Sequence, residues 1–273
     1  MSAFSLKMIA LVFMSLDHVA EFIPGTPIVF RWMGRISAPV FIYCCVWSFE
    51  YTSSKIGYMK RLYFAGVLMS IVQYFLNIQN NFFRILFSIV VILYIVEPNN
   101  KKNRKMNITI WLLWQTASIL LVALLVLSST NARSEKIFTY VLPAVCGNLF
   151  YLEGSIFYIL LGVLFWIHRN SRKGLALSFA TADALYFFIN DTSILTRVMG
   201  KMQLLFRNAY YIYDFLEYVL NTVIGLPLID IGGSVLYDNY EWMMIIALPL
   251  LLSYNHKRGY PVKRFFMPFI LFI

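Results

Sequence analysis

The sequence predicts an all-α, polytopic integral membrane protein: a bundle of about nine transmembrane helices with a cytoplasmic N-terminus. Of its 273 residues, 60% are hydrophobic and 13% are charged, whereas a soluble domain carries about 25% charged residues. Apolar runs of about 20 residues recur from end to end, separated by short polar loops. Most of the 23 Lys and Arg fall in loops of one side, at 55–61, 101–105, 169–173 and 257–264, which is typical of cytoplasmic loops. The opposite side is predicted to hold Arg31, Arg35, Arg84, Arg133 and Lys136.

Each predicted span is one apolar run between loop signals. The predicted spans cover residues 5–22, 33–49, 62–76, 82–96, 108–127, 155–167, 175–188 and 242–253. Between 137 and 154, Pro143 and two glycines interrupt the apolar run, which predicts a partly inserted segment. Residues 191–231 fit either an amphipathic surface helix or a crossing at 209–229. Residues 265–273 would extend about 14 Å as a helix, too short to cross. We expect one domain over residues 1–273.

Composition also excludes several classes of function. The net charge is +10, but no basic tract is interleaved with aromatic residues, so we expect no nucleic-acid partner. The three cysteines, Cys44, Cys45 and Cys146, lack the spacing of a metal site or a disulfide framework. We therefore expect no metal and regard the cysteines as small core residues.

Asp17 and His18 stand together inside the first apolar run. Counted from Leu6, His18 lies about 18 Å along the helix, slightly past the midplane of a core about 30 Å thick. Ionisable groups in hydrocarbon are costly and therefore indicate a functional site. Neighbouring side chains diverge by about 100°, so we expect Asp17 to face Arg31 or Arg35 instead of His18. A buried, hydrogen-bonded His beside an ion-paired Asp is the structural alternative.

Arg31 and Arg35 lie one helical turn apart at the start of the second span, with Gly34 between them. They are predicted to hold an anion or to neutralise Asp17, and Gly34 allows another helix to approach closely. The alternative is that their side chains extend to the outer headgroups, which suits Arg31 better than Arg35.

Two basic helix ends are expected on the cytoplasmic side. Lys60 and Arg61 form one of them, and Asn255, Lys257 and Arg258 form the other. Such ends can hold the phosphates of a nucleotide, although any cytoplasmic loop of a membrane protein has a similar composition. Glu153 and Asp183 are further acids in apolar context, and we count both, with Arg31, as candidate substrate-binding residues.

Four of these pieces in order resemble the TraX family of membrane proteins, which is named for the protein that acetylates the N-terminus of conjugative pilin. They are Leu6–Ala10 with Asp17-His18; Arg31-x-x-Gly34-Arg35 with Pro39 and Phe41; Thr52 with Tyr58–Leu62; and Ala247–Leu250 with Tyr254-Asn255 and Lys257-Arg258-Gly259. Two departures stand out. The family usually has glycine where this chain has His256, and a histidine soon after the last proline, where this chain has Phe269-Ile270-Leu271 after Pro268.

The resemblance implies a membrane acyltransferase in a bacterial-type cytoplasmic membrane. Acetyl-CoA would be the donor, with its phosphates near Lys60, Arg61, Asn255, Lys257 and Arg258. His18 would deprotonate an acceptor amine or hydroxyl, such as a peptide or pilin-like N-terminus or a sugar, and Asp17 and Arg35 would support it.

Two alternatives from other classes stay open. One is a proton-coupled transporter that uses Asp17 and His18 as a relay. The other is a non-catalytic membrane partner, which the missing C-terminal histidine would suit.

Overall fold

The computed structural model describes residues 1–76, 81–97, 104–152, 155–205, 209–226 and 234–259. Helices joined by turns and loops make up this part of the chain, and it contains no β-strand. The predicted all-helical architecture is therefore confirmed for these residues. Glu153, Arg207, residues 227–231 and residues 265–273 lie outside them.

Helix boundaries follow the apolar runs but extend past several of them. The helices are α1 (Ala3–Phe22), α2 (Val29–Tyr51), α3 (Lys55–Leu76), α4 (Phe82–Val96), α5 (Arg104–Leu127), α6 (Ala132–Lys136), α7 (Leu142–Val145), α8 (Ser155–Ile167), α9 (Arg172–Tyr186), α10 (Ile194–Leu205), α11 (Ala209–Tyr218) and α12 (Leu248–Leu252). A 3-10 turn, Glu241–Ala247, leads into α12, and π-helical turns follow α6, α9 and α11.

Three of the described helices are long and apolar enough to cross a membrane, namely α1, α2 and α5. Apolar side chains of α5 such as Leu113 and Leu124, each 66% exposed, point away from the protein. An outward apolar face is suited to contact with lipid, whereas exposing the same face to water would cost free energy. Shorter apolar helices include α4, and the total of about nine spans stays a prediction.

The contacts divide the chain into two compact units, described separately below. The first comprises residues 1–48, 164–218 and 227–273, and the second comprises residues 49–163 and 219–226. In the first unit, Tyr43 meets Phe165 edge to face at 5.7 Å, and Phe165 meets Phe179 in the same way at 5.4 Å. Backbone hydrogen bonds from Ala3 to Lys257 and from Phe4 to Arg258 join the start of α1 to residues 257–258.

The second unit contains a partly buried non-helical loop, residues 146–152, where the sequence predicts a partly inserted segment. Gln115 of α5 accepts a hydrogen bond from the Leu149 N–H at 2.8 Å and donates one to the Gly147 carbonyl at 3.1 Å. Asn148 donates to the Ser118 hydroxyl at 3.0 Å. Backbone outside a helix needs such partners in a membrane protein, because lipid offers none.

Arg84 of α4 holds the same loop and is 5% exposed. Its guanidinium donates to the carbonyls of Tyr151 at 2.9 Å, Phe150 at 3.2 Å and Asn148 at 3.4 Å. Gly66 of α3 leaves the space that the Arg84 stem occupies, since a Cβ there would lie 3.3 Å from Arg84 Cγ. Sequence counting places Arg84 among the charges of one membrane face, whereas its side chain is an internal support of the loop.

Candidate functional site

The far end of α1 carries an ionic cluster, all of it in the first unit. Arg31 Nη1 lies 2.6 Å from Glu21 Oε2 and 3.5 Å from Asp17 Oδ1. The pairing of Asp17 with Arg31 is one of the two that the sequence predicts. Glu21, one turn after Asp17, is a closer partner of Arg31 that the sequence reasoning missed. The i, i+4 spacing of the two acids was the available signal.

Gly34 brings α2 against α1 at this cluster. A Cβ at position 34 would overlap the Asp17 side chain. The predicted role of this glycine in close helix approach is thereby confirmed.

We expect Gly34→Ala to lower the free energy of unfolding by about 1–3 kcal/mol, because the new methyl group overpacks the contact with Asp17. Unfolding in detergent, followed by circular dichroism, measures the change. Gly200→Ala in α10 is the matched control, because nothing lies within 4 Å of a Cβ there. That control should be as stable as the parent or up to about 1 kcal/mol more stable. Equal stability of Gly34→Ala and the parent would contradict the contact.

Arg35 has a different acidic partner. Its Nη1 lies 3.0 Å from Glu241 Oε1, and its guanidinium lies over the Tyr240 ring at 5.2 Å from the centroid. Trp32 donates its indole N–H to the Leu236 carbonyl at 2.8 Å. Neither Glu241 nor Tyr240 was predicted as a site residue. They stand just before the last described apolar run, and their part in the cluster depends on a contact between distant segments of chain.

His18 lies beside the cluster and points elsewhere. The side chain is exposed, and its ring stacks on Phe22 with 6.3 Å between centroids and 22° between planes. Because α1 begins at Ala3, His18 lies about 22 Å along it, nearer the far end than the sequence predicted. Asp17 and His18 diverge, as helical geometry requires. An exposed imidazole can accept a proton from a substrate. The neighbouring ionic cluster provides charged groups whose positions are held by ion pairs.

The structure describes one of the two remaining candidate substrate residues. Asp183 is buried in α9, 6% exposed, and its carbonyl accepts the Phe187 N–H at the helix end. Glu153 lies outside the described residues. Among the residues described, no group of three or more His, Cys, Asp and Glu side chains is placed to hold a metal ion.

The basic residues predicted for the donor lie in both units. Asn255, Lys257 and Arg258 are exposed in the first unit, on a turn in which Asn255 Oδ1 accepts the Lys257 N–H at 3.1 Å. The hydrogen bonds of residues 257–258 to α1 put this turn at the opposite end of that helix from Asp17. Lys60 and Arg61 are exposed in the second unit, where the Arg61 guanidinium lies 5.6 Å from the centroid of the Tyr58 ring.

The model of the TraX protein family matches residues 2–271, nearly the whole chain. No curated protein and no solved structure matches the chain.

Proposed function

Because the chain belongs to the TraX protein family, we propose that it is a membrane-embedded acetyltransferase. Its donor is cytoplasmic acetyl-CoA, and its acceptor is an amine or hydroxyl presented from the membrane or the outer side. The acceptor class includes peptide N-termini and sugars. The observation that supports the proposal is the arrangement of the first unit, with an exposed histidine beside an ionic cluster at one end of α1 and a basic turn at the other.

Topology completes the proposal. About nine helices cross a bacterial-type cytoplasmic membrane, and the N-terminus faces the cytoplasm, because the basic loops collect on that side. The charge asymmetry is stronger than the sequence count indicates. Arg84, which was counted as a positive charge of the outer face, is buried inside the protein.

The proposed reaction needs one base and one set of oriented charges. The acceptor nitrogen or oxygen forms a bond to the acetyl carbon, and the C–S bond of the thioester breaks. His18 takes the acceptor's proton and returns it to the departing thiolate, which leaves as the CoA thiol. Asp17, the neighbour of His18 in sequence, and Glu21 hold Arg31, and Glu241 holds Arg35. A fixed guanidinium is suited to stabilise the oxyanion that develops on the acetyl oxygen.

Transfer of labelled acetyl groups tests the function. Membranes that contain the protein should move label from [acetyl-¹⁴C]acetyl-CoA to a peptide or carbohydrate fraction, whereas matched membranes without it should not. Label that stays at the background level in every fraction would contradict the proposal.

A transporter remains the second candidate, because Asp17 and Arg31 are charged groups on two of the helices able to span a membrane. Thermal unfolding with CoA separates the two. If the protein is an acyltransferase, CoA at about 100 times its Kd should raise the free energy of unfolding by about 2.7 kcal/mol. A proton-coupled transporter, or a non-catalytic partner, gains nothing.

A further inference from the structure

A pocket of about 190 Å³ lies in the first unit, at the end that carries the basic turn. Polar and aromatic side chains form much of its wall: Tyr43, Arg169, Asn170, Arg172, Tyr254 and His256. Asn170, Arg172 and His256 are exposed, so the pocket opens at these three residues. Three of its polar groups, Arg169, Arg172 and His256, were not among the predicted site residues.

The pocket is electropositive. The Arg169 guanidinium lies 4.8 Å from the centroid of the Trp166 ring, and its Nη1 donates to the Trp166 carbonyl at 2.7 Å, so its position is fixed. Arg172 is the first residue of α9, a 15-residue helix whose positive end therefore adds to the charge. No carboxylate lines the described wall to offset the two arginines.

His256 stands where the backbone favours glycine. Its φ is +59°, in the left-handed region that costs a side-chain-bearing residue free energy. Its ring stands edge-on to Trp47 with 4.5 Å between centroids and lies 5.0 Å from Tyr254. Glycine, the usual family residue, would relax this backbone and remove part of the pocket wall.

Size and position limit what the pocket can hold. Pockets that enclose a whole small molecule measure about 300–1,000 Å³, so a pocket of 190 Å³ suits one end of a longer ligand. Paired arginines are suited to phosphate. His18 lies about 22 Å along α1 from the end where Ala3 bonds to Lys257. A ligand held here must be long to bring a reactive group to His18, which excludes compact donors such as acetyl phosphate.

We propose that this pocket binds the phosphate-bearing nucleotide end of coenzyme A, with Arg169 and Arg172 on the phosphates and His256 as the wall. The inference rests on the proposed acetyltransferase function and adds a specific anchor to it. A phosphate of an anionic lipid headgroup has the same chemistry, so the experiment includes an arm for it.

Binding to the full chain in phosphatidylcholine nanodiscs tests the pocket. Arg172→Gln should weaken CoA binding by about tenfold to a hundredfold, because a charge-assisted contact is lost. Lys173→Gln is the matched control, since Lys173 is an exposed neighbour outside the pocket wall, and it should bind CoA like the parent. Dephospho-CoA should bind less tightly than CoA. Pantethine, which has no phosphate, should bind both variants equally weakly.

His256→Gly provides a second variant in which folding is not at risk, because glycine relaxes the backbone. It should unfold at the parent's temperature or above and still bind CoA more weakly. Equal CoA affinity in the parent and Arg172→Gln would overturn the proposal. Loss of CoA binding by the parent in phosphatidylglycerol nanodiscs would also overturn the proposal, since a lipid headgroup would then be the ligand of the pocket. CoA binding that depends on Arg172, without acetyl transfer, would refute the acetyltransferase and leave the pocket standing.

Discussion

His18→Ala is expected to reduce acetyl transfer by about 10²- to 10⁴-fold, the usual contribution of a positioned general base. The fold of the variant should be unaffected, because the His18 side chain is exposed and stacks on Phe22 of the same helix. Initial rates with labelled acetyl-CoA, normalised to the amount of folded protein in the membrane, measure the effect.

Val19→Ala is the matched control for this change. Val19 is the next residue of α1, is 38% exposed and has no ionisable group, so its truncation should leave the rate within about twofold. A His18→Ala variant as fast as Val19→Ala would remove His18 from the chemistry. Asp17→Asn should fall between the two, because Glu21 continues to hold Arg31.

Arg84→Leu is expected to have the largest effect on stability, about 3 kcal/mol or more. Three carbonyl groups of residues 148–151, two of them buried and one partly buried, lose their donor, and each buried acceptor without a partner costs about 1–3 kcal/mol. Unfolding in detergent and the yield of monodisperse protein measure the loss.

Arg133→Leu controls for the removal of an arginine from the second unit. Arg133 is exposed, so its replacement should change stability by no more than about 0.5 kcal/mol. If Arg84→Leu and Arg133→Leu unfold alike, the loop does not depend on Arg84.

Hydropathy predicted the bounds of a helix correctly where the whole helix is apolar. The predicted spans 82–96 and 155–167 have the bounds of α4 and α8. Elsewhere the helices begin earlier, as with Lys55, Arg104 and Arg172, because backbone hydrogen bonding continues into polar residues that hydropathy counts as loop. At α9 the Ser171 hydroxyl accepts the Gly174 N–H and sets the start. The crossing considered for 209–229 is a short helix, α11, followed by a π-helical turn that ends at Ile224.

The candidate site was predictable where the partners are near in sequence. Asp17 and Arg31 lie on consecutive helices joined by a short loop, so their pairing could be expected. Glu241 could not be assigned to Arg35 in the same way, because about 200 residues separate them and hydropathy carries no tertiary information. Arg84 was missed because charge counting treats every arginine as a surface group, whereas this one is enclosed by backbone carbonyls.

The most direct test is a structure of the full chain determined with acetyl-CoA bound. We expect density for acetyl-CoA in which the phosphates lie against Arg169 and Arg172 and the acyl end reaches His18. Density that leaves both ends of α1 empty at a saturating concentration of acetyl-CoA, or that directs the acyl end away from His18, would contradict it.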